Sequence, residues 1–453
     1  MTKQKVRIGA FALGAVSLGA ISVGLFGCEE KTVPGSSQPS PEPEQTEEVV
    51  VQESPENDTT QAQPSEDDDN YALTRVCTFN VEDLRYDDIM AGLRGDENPG
   101  ANRARDVARL IAAIDPDILF VNELEFDFIS SEPMSGRAFA DLVSQQREYL
   151  GLGHRHFAVY QAPPNTGIHS GFDLDRDGQV VAEPLTRGYG NDALGYGDFP
   201  GHYAMALLVA EPLAIVEDEV RTFRDFRWAT MPEALLPPGD GERVPQNEPW
   251  YSPSMLEVLP LSSKSHWDVP VDLGDGEILH IYASHPTPPV FDGPEDRNGR
   301  RNHDEIRFWG EYLSGAEWIV DDAGESGAGV PAPAVVMGDL NSDPLMGDSR
   351  DNPVAVWLMD NPRIDGAFTP VSTVELEIED RLLRPMATAE FGLRVDYVLP
   401  TREVDVIRGG IVRGEADLPM SPAFSHEILD SIRYEVSDHF PVWIDVRLRD
   451  FKQ

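Results

Sequence analysis

Apolar positions along this chain recur with two different periods. Short runs rich in β-branched and aromatic residues read as strands: LTRVCTFNV (73–81), DILFVNE (117–123), HFAVYQA (156–162), YAMALLVA (203–210), EILHIYAS (277–284), PAVVMGDL (333–340), RVDYVLP (394–400) and FPVWIDVRL (440–448). Helical stripes lie between them. In NRARDVARLIAAID (102–115), Val107, Leu110, Ile111 and Ile114 recur at i, i+3, i+4 and i+7, and Pro116 ends the helix. RAFADLVSQQREYLG (137–151) predicts a second helix with a glycine stop. NHDEIRFWGEYLSGAEW (302–318) predicts a third, with Asn302 as N-cap, Glu305 closing a capping box and a stripe of Ile306, Trp309 and Leu313. On that reading His303, Asp304 and Glu305 are capping and solvated. The order is mixed α/β, without an internal repeat. Two irregular stretches, 163–201 and 222–262, interrupt it as insertions, and long irregular loops are often binding loops.

The N-terminus follows neither period. Lys3, Lys5 and Arg7 precede an apolar stretch from Ile8 to Phe26 and then Gly27-Cys28, which predicts a secretory signal over residues 1–27. LFGC resembles a bacterial lipobox in which Cys28 is lipidated, although Phe26 is bulky for its place; an uncleaved membrane anchor is the alternative. Either exports the rest of the chain, so a bacterial cell-envelope location is expected, with the membrane reached through a lipid anchor only. Residues 28–72 carry thirteen acids against one base, Lys31, and no apolar periodicity, predicting a disordered, extended tether. The folded part is then a single domain over residues 73–449, expected to be a monomer.

The formal net charge is −44. Such a surface repels polyanions, and non-specific nucleic-acid binding depends on neutralising phosphates with Lys and Arg. The charge argues against a strong DNA binder without excluding an enzyme with a local basic site. Of two cysteines, Cys28 is assigned to lipid, which leaves Cys77 as a buried small hydrophobe and the domain without disulfides.

Polar residues close the predicted strands: Asn80, Glu123, His285, Asp339 with Asn341, Asp396, and Asp438 with His439. Functional groups converge at strand ends in layered α/β folds. CTFNVEDL, PDILFVNELE, IYASHP, VVMGDLNSDP, LRVDYVLP and SDHFPVWIDV together resemble the motif series of the endonuclease/exonuclease/phosphatase superfamily, in its order, over roughly residues 74–447. The resemblance implies an α+β fold, a four-layer α/β/β/α sandwich of two packed mixed sheets flanked by helices, as in the DNase I-like proteins. It implies that Glu123 is the main carboxylate ligand of Mg²⁺ or Mn²⁺, with Asn80 beside it and Asp438 contributing. Asp339 would orient or deprotonate the attacking water, and Asn341 would help hold the phosphate. His439 would hydrogen-bond the phosphoryl oxygen, oriented by Asp396, and His285 would sit at the phosphate or leaving group. The residue types suit the chemistry, because hard cations take oxygen ligands and a phosphoester anion repels hydroxide until its charge is neutralised.

The sequence departs from that pattern at Asn122, where glutamine is usual, and at Val209-Ala210, where a basic residue is missing. Glu125 competes with Glu123 as the metal carboxylate. Separately, Asp173, Asp175, Asp177, Gly178 and Gln179 form D-x-D-x-D-G, like the first half of an EF-hand loop, but Pro184 stands where the bidentate Glu belongs. This is either a structural Ca²⁺ loop or an acidic turn. Arg297, Arg300 and Arg301 form the dense basic cluster of an acidic domain, either paired with acids of their own loop or gathering phosphate beside His285. The functional expectation is an exported, membrane-anchored, divalent-metal-dependent phosphoesterase acting on small or lipid-like phosphate mono- or diesters. An extracellular DNase-type nuclease and a non-catalytic surface binding protein that keeps the fold are the alternatives.

Overall fold

In the computed structural model the two periods resolve into two packed sheets with helices outside them. Residues 73–128, 133–327, 333–419 and 424–449 are described. The signal stretch, Cys28 and the acidic tether lie outside them. The strands are β1 (Thr74–Leu84), β2 (Ile118–Leu124), β3 (Phe157–Tyr160), β4 (Met205–Ala210), β5 (Ala214–Ile215), β6 (Arg221–Thr222), β7 (His266–Asp272), β8 (Ile278–Ser284), β9 (Ala334–Asp339), β10 (Glu377–Ile378), β11 (Arg381–Leu382), β12 (Asp396–Pro400), β13 (Val404–Ile411) and β14 (Val442–Leu448). The helices are α1 (Tyr86–Arg94), α2 (Pro99–Ile114), α3 (Met134–Tyr149), α4 (Pro253–Leu256), α5 (Arg297–Leu313) and α6 (His426–Leu429).

One sheet runs β13-β14-β1-β2-β4-β3 and the other β12-β9-β8-β7-β5, with β6 also on β7. In each sheet a single pair is parallel, β1 with β2 and β8 with β9. Alternation along the strands splits the core into layers. Val76, Ile118, Phe120, Ile281, Val335, Met337, Val398 and Ile444 meet between the sheets. Cys77, Phe79, Leu119 and Val121 face the opposite way, onto α1, α2 and α3. Val336, Tyr397 and Leu399 pack against α5, together with Phe223, Phe226, Trp228, Trp250 and Leu259 from the 222–262 stretch. That is the four-layer α/β/β/α arrangement. Cys77 is buried and free.

Three of the elements that differ from the sequence reading have a clear physical reason. Helix α5 starts at Arg297 with Asp296 as N-cap, so Asn302 lies inside the helix. Its side chain is buried and donates to the carbonyls of Thr287 and Leu340. Asp304 and Glu305 are buried as well: Asp304 accepts from Trp228 Nε1, and Glu305 from the amides of Ser263 and Thr287. β7 is an unexpected strand, because Pro270 interrupts its pattern. Pro270 is tolerated because its missing N–H falls in the gap between β5, which pairs at Val271, and β6, which pairs at Asp268. β13 is masked in the sequence by Gly409-Gly410. A Cβ at Gly409 would stand 2.5 Å from the Trp443 carbonyl, so that close approach requires glycine.

Candidate active site

The alternation that builds the inter-sheet core also aims the polar strand ends. Val76, Thr78 and Asn80 share one face of β1; Val335, Met337 and Asp339 share one face of β9; Asp396 and Val398 share one face of β12. Asn80, Asp339 and Asp396 are therefore the continuation of the inner core at its rim, each about 1% exposed. Asp339 and Asp396 are direct partners across the β9–β12 ladder. Gly338, before Asp339, has φ 134°, and a Cβ there would stand 2.1 Å from the Ser284 carbonyl. Only glycine brings β8 and β9 that close. Glu123 would face the helices by strict alternation with Leu119 and Val121. Its φ of +65° turns the strand, and its carboxylate meets Asn80 instead.

The side chains form one connected cluster. Asn80 Nδ2 donates to Glu123 Oε1 and to Asp339 Oδ2, both at 3.0 Å. The amide of Asp83 donates to Glu123 Oε2 (3.1 Å), and the amide of Asn341 to Asp339 Oδ1 (2.9 Å). His439 Nδ1 lies 2.8 Å from Asp396 Oδ2. Its Nε2 is 3.8 Å from Asp339 and 3.9 Å from Asp438, beyond hydrogen-bond reach, so its N–H stays available. His285 Nε2 lies 3.4 Å from Asp339 Oδ2, and its buried Nδ1 has no partner among the described residues. Ser437 Oγ donates to the Asn80 carbonyl and accepts from the His439 amide, which ties the Ser-Asp-His turn to β1.

The charges follow from burial and neighbours. Burial pushes the Glu123 carboxyl up to about 7, against the pull of Asn80 and His439. Burial would raise Asp339 too, but His439 and then His285 hold it well below the usual carboxylate range. Burial opposes a charge on His439, yet Asp396 and Asp339 raise it well above its ordinary value, giving an imidazolium. Burial and then Lys264 depress His285 to about 4, leaving it neutral at pH 7.

The remaining sequence candidates fall elsewhere. Asn341 Nδ2 donates to the Pro286 carbonyl, which places it at the rim with His285. Asp438 is half-exposed on that rim, its amide held by Glu82. Glu125 accepts from the amide of Tyr86 at the start of α1 and is thus a helix-capping acid. Arg297 pairs with Glu295, and Arg300 lies 3.8 Å from Asp296. Arg301 donates to the carbonyls of Leu261, Leu194 and Pro260. Arg297 and Arg301 are engaged within the protein, whereas the buried Nε of Arg300 has no hydrogen-bond partner among the described residues. Asp173, Asp175 and Asp177 present carboxylate oxygens within 4.8 Å of one another, while Asp173 also accepts from the amides of Asp177 and Gly178. Sequence reading singles out neither Thr388, whose Oγ1 accepts from the Val395 and Asp396 amides, nor Phe391, whose ring lies 5.6 Å edge-on to His439. It also passes over Lys264, although a signal exists: no other lysine occurs between Lys31 and Lys452.

The donors fit a hard divalent cation. Oxygen ligands converge at Glu123 and Asp339, joined by one amide, and a carboxyl raised by burial, as Glu123 is, holds its charge best beside a cation. Asp339, Asp396 and His439 likewise offer ligand atoms within 4.8 Å of one another.

A family model described as Endonuclease/Exonuclease/phosphatase family matches residues 77–439. No curated protein matches the chain. Among solved structures, the chain is similar to the endonuclease/exonuclease/phosphatase from Beutenbergia cavernae, with 17% identity over 83% of this chain and 72% of that one and a TM-score of 0.40. It is similar to a Bacteroides thetaiotaomicron family protein, with 14% identity over 84% and 97% and a TM-score of 0.42. It is also similar to the catalytic domain of human Nocturnin with bound sulfate, with 12% identity over 83% and 95% and a TM-score of 0.39.

Proposed function

This chain belongs to the endonuclease/exonuclease/phosphatase family of phosphoester-hydrolysing enzymes, and we propose that it hydrolyses phosphate mono- or diesters with a divalent metal, Mg²⁺ or Mn²⁺, by in-line attack of water. The observation that carries this reading is the Asn80 amide joining Glu123 to Asp339, with the His439–Asp396 pair behind.

Glu123, Asn80 and Asp438 would hold the metal, which when bound neutralises phosphate charge and orients the attack. Asp339, ionised and fixed by Asn80 and the Asn341 amide, orients the water and accepts its proton. His439 directs its free Nε2–H to a phosphoryl oxygen, and Asp396 holds it charged and in register. Neutral His285 and Asn341 contact the phosphate or the leaving group. The same proposal places the protein at a bacterial cell envelope as a monomer, exported by residues 1–27, lipidated at Cys28 and held off the membrane by the tether. It gives the Asp173 loop a structural Ca²⁺.

Substrates are small or lipid-like phosphoesters rather than nucleic acid. The net charge of −44 and the internal engagement of Arg297 and Arg301 support this. Turnover of p-nitrophenyl phosphate, bis(p-nitrophenyl) phosphate, sphingomyelin and plasmid DNA, each with Mg²⁺ or Mn²⁺, tests it. The small or lipid esters are expected to be cleaved; cleavage of DNA alone would make the protein a nuclease, and no turnover at all a binding protein.

A further inference from the structure

Between Lys31 and Lys452, Lys264 alone is a lysine, among arginines and histidines. It is 5% exposed. Among the described residues no hydrogen bond or ion pair engages its ammonium. Burying an unpaired ammonium is costly, so such a group persists where something outside the fold completes it.

Its position is fixed by the backbone. The β7–β8 ladder pairs His266 with Ser284, which carries Ser265 alongside His285 and places Lys264 one residue further, at the exit of β8 into the site. The Lys264 carbonyl accepts from Asn165 N (2.9 Å), and Asn165 Nδ2 donates to the Ser262 carbonyl. The charges acting on the ammonium are Glu305 first, then Glu123 and Asp339, and Lys264 in turn acts on His285. Glu305 exerts the largest attraction on the ammonium, and each of its oxygens also accepts one amide, of Ser263 (2.7 Å) and Thr287 (2.6 Å). Lys264 is thus under the field of the buried Glu305 and of the site's carboxylates, Glu123 and Asp339.

We infer that Lys264 is the anion seat of this site, receiving a non-bridging oxygen of a terminal, dianionic phosphate. This deepens the phosphoester-hydrolase reading and rests on it. A monoester carries one more negative charge than a diester, and the site needs one more positive group to hold it. His439 is matched by Asp396, Arg297 by Glu295, and Arg301 is engaged by backbone carbonyls. A lysine suits the task because its compact ammonium meets phosphate as a point charge with three donors, whereas a guanidinium would need a planar fork of acceptors.

The test uses the full chain and Lys264→Met, which keeps the aliphatic stem and removes the charge. Inorganic phosphate binding is measured by calorimetry, and kcat and KM are measured for p-nitrophenyl phosphate and bis(p-nitrophenyl) phosphate with Mn²⁺. Lys264→Met is expected to weaken phosphate binding and raise the monoester KM by at least about tenfold, with the diester KM little changed and Lys264→Arg recovering part of the loss. Equal losses on both esters together with a lowered melting temperature, or unchanged phosphate binding, would show that Lys264 only balances Glu305 and overturn the inference. Should Lys264→Met not fold, limited acetylation of the wild type decides: phosphate protects Lys264, with Lys452 as internal reference, or the inference fails. Phosphate binding without turnover of any ester would sink the hydrolase reading and leave the anion seat standing.

Discussion

Asp396 Oδ2 lies 2.8 Å from Nδ1 of His439, both side chains are buried, and the imidazole's other nitrogen is left free toward Asp339. The carboxylate fixes which nitrogen faces the site and keeps the ring charged. Asp396→Asn preserves the shape and removes the charge. The expected result is a loss in kcat of roughly 10²- to 10⁴-fold with an unchanged melting temperature. His439 is raised well above its ordinary value, so the wild type holds the imidazolium to higher pH than a free histidine. In the variant the alkaline limb of the pH–rate profile moves to lower pH. An unmoved limb with full kcat would show that the pair is structural.

Glu123 reaches the site only because its backbone turns at φ +65°. Its carboxylate, raised by burial to about 7, is the group a cation would relieve. Glu123→Gln keeps the shape and one of the two accepted hydrogen bonds, from Asn80 or Asp83, and removes the charge. Mn²⁺ affinity measured by calorimetry is expected to fall at least about tenfold, in the range that altered metal environments commonly show. Unchanged affinity would move the metal to Asp339 and Asp438.

Much of this site is legible in sequence because strand alternation does the placing. Asn80, Asp339 and Asp396 continue the inward-facing series Val76-Thr78, Val335-Met337 and, in reverse, Val398. Glu123 breaks the alternation, and only the motif, not the period, points to it. Asn302 shows the opposite failure. Its spacing to Glu305 fits a capping box, yet the helix begins five residues earlier, at Arg297, where Arg297 meets Glu295, Arg300 lies 3.8 Å from Asp296 and Arg301 donates to backbone carbonyls. The contacts of Arg301 join residues distant in the chain, such as Leu194, and no local pattern records them.

Arg301 is expected to matter for the fold rather than for substrate. Its Nε and Nη2 satisfy three carbonyls, of Leu261, Leu194 and Pro260, at 2.8–3.0 Å. Arg301→Ala leaves those acceptors without their donor and should cost roughly 3 kcal/mol in urea unfolding. Arg297→Ala should leave the KM for an anionic ester unchanged. A raised KM in a folded Arg297 variant would return the cluster to the binding site.

Stability should fall on mild acidification. Burial depresses His266 to about 4, and its Nε2–H donates to the Glu305 carbonyl at 2.8 Å. Between that value and its ordinary 6.5, the unfolded chain holds the proton and the folded chain does not, so stability rises with pH through this window and is lost as pH falls. The contribution of this one histidine is at most roughly 3 kcal/mol. Denaturation midpoints between pH 4 and 7 check it: His266→Gln keeps a donor to the carbonyl and should flatten the slope, and an equally steep slope would assign the effect to other groups.

Hydrolysis of p-nitrophenyl phosphate by the full chain, with and without Mn²⁺, in wild type and Asp339→Asn, tests most directly whether the Asn80–Glu123–Asp339 cluster is a metal-assisted hydrolytic site. The wild type is expected to turn the ester over, to stop on chelation and to recover with Mn²⁺. Asp339→Asn is expected to lose at least roughly 10²-fold in kcat at an unchanged melting temperature. Turnover indifferent to chelation, or full activity in Asp339→Asn, would contradict that assignment.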